Sequence, residues 1–169
     1  MQFRRNDLVE HIAEILDATG VPPNRLELEI TEGVVMHNEE KSIETMKHLQ
    51  SLGISLSMDD FGVGYSSLSH LTRFPIDRLK IDRSFISDIP QNVEKAAVVR
   101  AIVAMAHSLN LITVAEGVET AEQERFMKAV GCDQFQGYFL SPPVPAPQLE
   151  LLIEKFNHSA KQKISNLRR

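Results

Sequence analysis

Three times in this chain an amphipathic helical stretch runs into a glycine, and a short β-type run follows at once. Residues 7–19 place Leu8, Ile12, Ile15 and Leu16 on one helical face and stop at Gly20. Residues 40–52 do the same with Ile43, Met46, Leu49 and Leu52 before Gly53. Residues 120–130 open with Thr120 and Gln123, a capping-box spacing, and stop at Gly131. A glycine at a helix C-terminus suits the left-handed cap. The runs that follow are Leu26–Ile30, Ile54–Met58 and Asp133–Tyr138. Two more, Arg78–Ile81 and Leu111–Ala115, flank a predicted helix over 93–109 with Val99, Ile102, Val103, Ala106 and Leu109 as its apolar face. Strands alternating with helices predict βαβ units and a parallel sheet of five strands. A last helix is predicted from Pro147 to Phe156, after the rigid Pro142-Pro143-Val144-Pro145 turn, with a polar, basic tail over 157–169.

The strand ends carry the chemistry. The first strand ends with Glu29 and the second with Asp59-Asp60. The third carries Lys80 and Asp82, the fourth Glu116 and the fifth Gln136. In parallel α/β folds the C-terminal strand ends converge on one face, where ligands bind. One carboxylate at a strand end is commonly a helix cap or a solvated loop residue, but polar ends on all five strands point to a shared site. Carboxylates without cysteine or histidine suit hard cations, Mg²⁺ or Mn²⁺ rather than zinc. Two adjacent carboxylates repel unless cations compensate them, and one of the pair can bridge two ions. Two metals about 4 Å apart suit phosphodiester hydrolysis. Lys80 fits either the orientation of an attacking water or a salt bridge to a neighbouring carboxylate. The loop Phe61-Gly62-Val63-Gly64-Tyr65-Ser66-Ser67 reads as a tight turn shaping the acidic pair.

Composition narrows the class. With 43% apolar residues and a net charge of -5 in 169 residues, the chain is not disordered. Mild acidity without a basic stripe argues against a nucleic acid polymer as partner. No apolar run approaches the length of a membrane span, and the expected location is cytoplasmic. A single cysteine, Cys132, excludes a disulfide framework and reads as a small core residue. The six histidines show no metal-ligand spacing and read as surface or satisfied helix residues.

Taken together, Leu28-Glu29-Ile30-Thr31-Glu32, Asp59-Asp60-Phe61-Gly62-Val63-Gly64-Tyr65-Ser66-Ser67, Leu79-Lys80-Ile81-Asp82, Val114-Ala115-Glu116-Gly117-Val118-Glu119-Thr120 and Gln136-Gly137-Tyr138 resemble the EAL-domain family. These are cyclic-di-GMP-specific phosphodiesterases of bacterial signalling. The resemblance runs from about Gln2 to Phe156. It implies a (β/α)8 barrel with one antiparallel strand, and hydrolysis of cyclic di-GMP to linear pGpG with two Mg²⁺ or Mn²⁺ ions. It further implies that Glu29 and Asp59 bind the first metal, with Asp59 bridging, and that Asp60 binds the second. Lys80 would contact the attacking water, and Glu116 would bind metal-linked water and is a proposed general base. Glu119 and Gln136 would hold water or outer contacts, as would Asp82. Glu32 would anchor the Asp-Asp-Phe-Gly loop, which in the family couples the site to a dimer interface. Val63 stands where threonine is commoner.

One departure is large. The family's Glu-Ala-Leu motif with its metal-binding glutamate, the arginine that follows it and an asparagine on the next strand have no counterpart here. The expected fold is therefore a partial barrel, since a complete one needs about 250 residues. Residues 1–156 would form a truncated EAL domain and 157–169 its tail. The chain by itself is then expected to be inactive, the alternative being a non-enzymatic module that binds the nucleotide or a protein. An incomplete barrel leaves two sheet edges. Leu28, Leu56 and Ile81, read as inward-facing, would lose part of their opposing layer. Homo-oligomerisation through those edges or through loop 60–67 is expected. A receiver-type doubly wound sheet is the remaining alternative, but its acidic pair belongs to the first strand and its lysine to the last.

Overall fold

The computed structural model describes residues 7–36, 38–62 and 71–167, the side chains of 158–167 excepted. The chain divides into two compact units, Met1–Phe139 and Leu140–Arg169.

The first unit is built on one five-stranded sheet in the order β1-β2-β3-β4-β5. The strands are β1 (Glu27–Thr31), β2 (Ser55–Phe61), β3 (Arg78–Ile81), β4 (Ile112–Ala115) and β5 (Gln134–Phe135). Every neighbouring pair is parallel. The helices are α1 (Leu8–Thr19), α2 (Glu32–Val35), α3 (Glu39–Ser51), α4 (Arg83–Ile86), α5 (Val93–Ser108) and α6 (Ala121–Ala129). Among the described residues the sheet does not close on itself, and β1 and β5 are its edges.

Local sequence sets the helix ends. Asn38 and Asn92 accept from the backbone N–H of Lys41 and Lys95 at 3.3 and 3.0 Å, capping α3 and α5. The Thr120/Gln123 capping box forms as its spacing requires. Gly20 closes α1 at φ 68°, and its N–H reaches back to the Leu16 carbonyl at 2.9 Å.

The two faces of the sheet differ in kind. Leu56, Met58, Leu79 and Ile81 are at most 1% exposed and join one core with Met46 and Leu49 of α3 and Val99, Val103 and Ala106 of α5. Leu28 packs against the same core. Side chains alternate along a strand, and registered partners in a parallel pair share a face. The register Glu29↔Ser57 and Ser57↔Arg78 therefore places Glu27, Glu29, Ser57, Asp59, Arg78 and Lys80 on the opposite face. This corrects the sequence reading of Leu28, Leu56 and Ile81 as barrel-interior residues. In an α/β layer the apolar face meets the helices, so the polar positions line the face away from α3 and α5.

In the second unit, α7 (Ala146–Leu167) continues past Phe156, where the sequence reading ends it. Its Leu149, Ile153 and Phe156 recur at helical spacing, and each is about half exposed. Among the described residues, no helix is long and apolar enough to cross a membrane.

Candidate functional site

Lys80 stands at the centre. It is inward-facing on the middle strand, only 4% exposed, and its Nζ meets three carboxylates. Glu29 of β1 lies at 2.7 Å, Asp59 of β2 at 3.1 Å and Glu116, just past β4, at 2.7 Å. The strand-end acids thus converge, across 88 positions of chain. Burial by itself lowers the Lys80 pKa, but the hydrogen bonds from Glu116, Glu29 and Asp59 outweigh it and hold the ammonium well above the ordinary lysine value. Lys80 is a fixed cation here, not a proton donor for catalysis near neutral pH.

Gln136 adds the amide expected at the fifth strand end. Its Nε2 donates to Glu116 Oε1 at 2.8 Å, the same oxygen that Lys80 contacts. Glu116 is oriented from two sides.

The Asp59-Asp60 pair sits on a strand irregularity. Between Met58 and Phe61 the β2–β3 register shifts: three steps along β2 match two along β3, from Leu79 to Ile81. The extra residue bends β2 where it delivers the acids. Asp60 takes φ 55°, a left-handed conformation that is costly for a non-glycine residue. Its N–H donates to Asp59 Oδ1 at 3.0 Å. Asp59 thus points to Lys80 while exposed Asp60 is turned off the strand's alternation.

The remaining predicted residues have other engagements. Asp82 caps α4, accepting from Ser84 N–H at 2.9 Å; burial pushes its carboxyl up, but the bonds from Ser84 hold it below the usual range. Glu119 pairs with Arg83 at 2.6 Å. Glu32 opens α2, directly after β1. The loop it was expected to anchor continues through residues 63–70, which lie outside the described residues, as do the oligomer contacts expected there.

Two arginines escaped the sequence reading. Arg78 joins Glu27 at 3.1 Å and Gln134 at 2.7 Å, one layer below Lys80. Arg83 lies over Gly117, where an added Cβ would come within 2.9 Å of Arg83's own Cβ. The only sequence signal for Arg83 is its place directly after Lys80-Ile81-Asp82.

The donor set matches a hard divalent cation in chemistry: carboxylate oxygens and an amide. Three carboxylates on one ammonium also leave excess negative charge. They are gathered on Lys80, however, and among the described residues no group of three His, Cys, Asp or Glu is arranged as a metal cage. The cluster fits a divalent cation in charge and ligand type, with metal uptake competing for oxygens that Lys80 now holds.

Known proteins resemble this chain in sequence and fold. A family model described as the EAL domain matches residues 1–143. The cyclic di-GMP phosphodiesterase NbdA of Pseudomonas aeruginosa is 43% identical over 163 residues, covering 96% of this chain and 21% of that protein. The solved structure of the phosphodiesterase MucR, in complex with c-di-GMP, superimposes with a TM-score of 0.83 at 43% identity, covering 88% of this chain and 60% of that one. A manganese and cyclic-di-GMP complex of Klebsiella pneumoniae BlrP1 matches at 37% identity and a TM-score of 0.78, covering 84% and 36%. The chain spans about a fifth of the length of the curated relatives it matches. The five parallel strands, the strand-end carboxylates around one buried lysine, and a match over residues 1–143 lead to one assignment: the chain belongs to the EAL domain family.

Proposed function

We propose that this chain carries the C-terminal part of a metal-assisted phosphodiesterase site acting on cyclic di-GMP, giving linear pGpG. The observation that carries the reading is the convergence of Glu29, Asp59 and Glu116 on Lys80 at the C-terminal ends of parallel strands. Glu29, Asp59 and Asp60 are the residues that would hold divalent ions, Mg²⁺ or Mn²⁺. Such ions, when bound, supply Lewis-acid activation of water and of the phosphoryl oxygens.

The chain's own groups divide the remaining work. Lys80 is a permanent cation, suited to orienting the attacking water and offsetting charge that develops on phosphorus oxygens. Glu116, with one oxygen held by both Lys80 and Gln136, is positioned to accept the water's proton. Asp60, turned outward by the strand irregularity, reaches a position Asp59 does not. Residues 1–156 are read as the domain portion and 157–169 as a tail.

A second reading has its own support. Among the described residues the carboxylates are not set as a cage but are gathered on Lys80. Acids gathered on a fixed ammonium in this way also suit a module that binds nucleotide or protein without turnover. Incubation of the purified chain with Mn²⁺ and cyclic di-GMP separates the two. Linear dinucleotide at rates usual for such enzymes establishes an active site in this chain. Calorimetric binding without turnover supports the module, and absence of both removes the nucleotide from either reading. Among the described residues β1 and β5 are the edges of the sheet, which leads to the further proposal of homo-oligomers. A monodisperse 19 kDa species in light scattering would count against it.

A further inference from the structure

Glu116 does not hold its place through β4 alone. Its N–H donates to the Ile81 carbonyl at 3.0 Å, tying it to the exit of β3. The next four residues, Gly117 to Thr120, are fastened to α4 at both ends. At the far end Gln123 Nε2 donates to the carbonyls of Ile86 and Ser87 at 3.1 and 3.0 Å. Its Oε1 accepts from the N–H groups of Glu119 and Thr120 at 2.7 and 3.0 Å. Gln123 is 4% exposed, so its bonds belong to the core.

At the near end stands Arg83. Its guanidinium pairs with Glu119, and its aliphatic stem covers Gly117. The Arg83 and Glu119 side chains are 64% and 41% exposed, and an ion pair so exposed contributes little to global stability. Its placement matters more than its strength. Gly117 sits at φ 67°, a conformation glycine enters and leaves freely, and it directly follows Glu116. Glu116 must keep one oxygen 2.7 Å from Lys80 and 2.8 Å from Gln136. A swing at Gly117 would take Glu116 out of that geometry, and the Arg83 stem together with the Glu119 pair opposes it.

We propose that Arg83 is a positioning residue for Glu116, acting through Gly117 and Glu119, an inference that rests on the reading of the cluster as a metal-assisted site. The test uses the full chain with Arg83→Ala, Arg83→Lys, Glu119→Ala and the Arg83→Ala/Glu119→Ala double variant. The first readout is amide exchange at Val118, whose N–H donates to the Gln136 carbonyl at 3.0 Å. Arg83→Ala should speed it about tenfold while α5 amides and the thermal midpoint stay unchanged. The second readout is calorimetric Mn²⁺ affinity, which should fall about tenfold in Arg83→Ala. Arg83→Lys, which keeps stem and charge, should recover most of both, and the double variant should be no worse than Arg83→Ala. Unchanged Val118 exchange in Arg83→Ala, or faster exchange with Mn²⁺ affinity intact, overturns the proposal. A parent chain that takes up no Mn²⁺ overturns the metal-site reading instead, and exchange at Val118 then decides the positioning role alone.

Discussion

The two ends of the sheet are built from the same residue types and behave differently. At the C-terminal ends, one buried ammonium serves three carboxylates, leaving charge unbalanced. At the N-terminal ends each group has its own partners: Arg78 meets Glu27 and the neutral Gln134. There Asp133 accepts from Thr113 N–H and Oγ1 at 2.8 and 2.7 Å and faces His107 at 2.9 Å. Asp77 likewise accepts from Leu56 N–H at 2.8 Å. Groups whose hydrogen bonds are taken up by neighbouring strands fasten the base together. The unbalanced group at the mouth retains capacity for a further cation, which is what a binding site needs and a brace does not.

The largest expected effect lies at the mouth. Lys80→Met keeps volume but leaves three carboxylates facing one another, and should cost about 3 kcal/mol of unfolding free energy, the low end for a broken buried ion cluster because Glu29 is half exposed. Added Mn²⁺ should restore part of that loss by binding only the folded form. Next comes the base: Asp133→Ala strips Thr113, which is fully buried, of its partner and should cost about 2 kcal/mol. Mn²⁺ should not restore it. Urea unfolding with and without the ion checks both, and rescue of the base variant would break the distinction between the two ends. A smaller effect sharpens it. Glu29→Gln relieves crowding at the mouth and should leave stability within about 0.5 kcal/mol of the parent or raise it. In the same variant Mn²⁺ binding should weaken at least about tenfold. A clear loss of stability would show that Glu29 is a brace after all.

The mouth was largely legible in the sequence because each acid ends an apolar run, and parallel topology brings such ends together whatever lies between them. Helix boundaries were legible where a side chain caps the helix, as at Thr120 and Gln123. The base was not, because its pairs span distances that only register defines: Arg78 with Gln134, and His107 with Asp133. The strand irregularity that separates Asp59 from Asp60 depends on how β2 meets β3, and no feature of Ser57–Phe61 announces it. Alternation along β2 and β3 reveals two faces without saying which meets the helices, so Leu56 and Ile81 were read toward the wrong side. The length of α7 was missed because the stretch beyond Phe156 lacks apolar residues at the expected density.

The smallest effects should also divide the two ends, by the pH at which each fails. Burial pushes the Asp133 carboxyl up, but bonds from Thr113 and His107 hold it down at about 2. A pKa depressed on folding means stability that is complete above the unfolded value of 3.8 and is lost as pH falls toward about 2. Lys80 is the opposite case. Its pKa is raised on folding, so its contribution is complete below the unfolded value of 10.5 and declines only as pH rises beyond it. Urea midpoints followed across pH should therefore show an acid limb to which Asp133 at the base contributes most and an alkaline limb belonging to the mouth. Asp133→Asn should flatten the acid limb in part, since Asp82 and Asp88 are also depressed and share it. Lys80→Met should flatten the alkaline limb. Identical limbs in the parent and both variants would mean that the two ends are not separate electrostatic units.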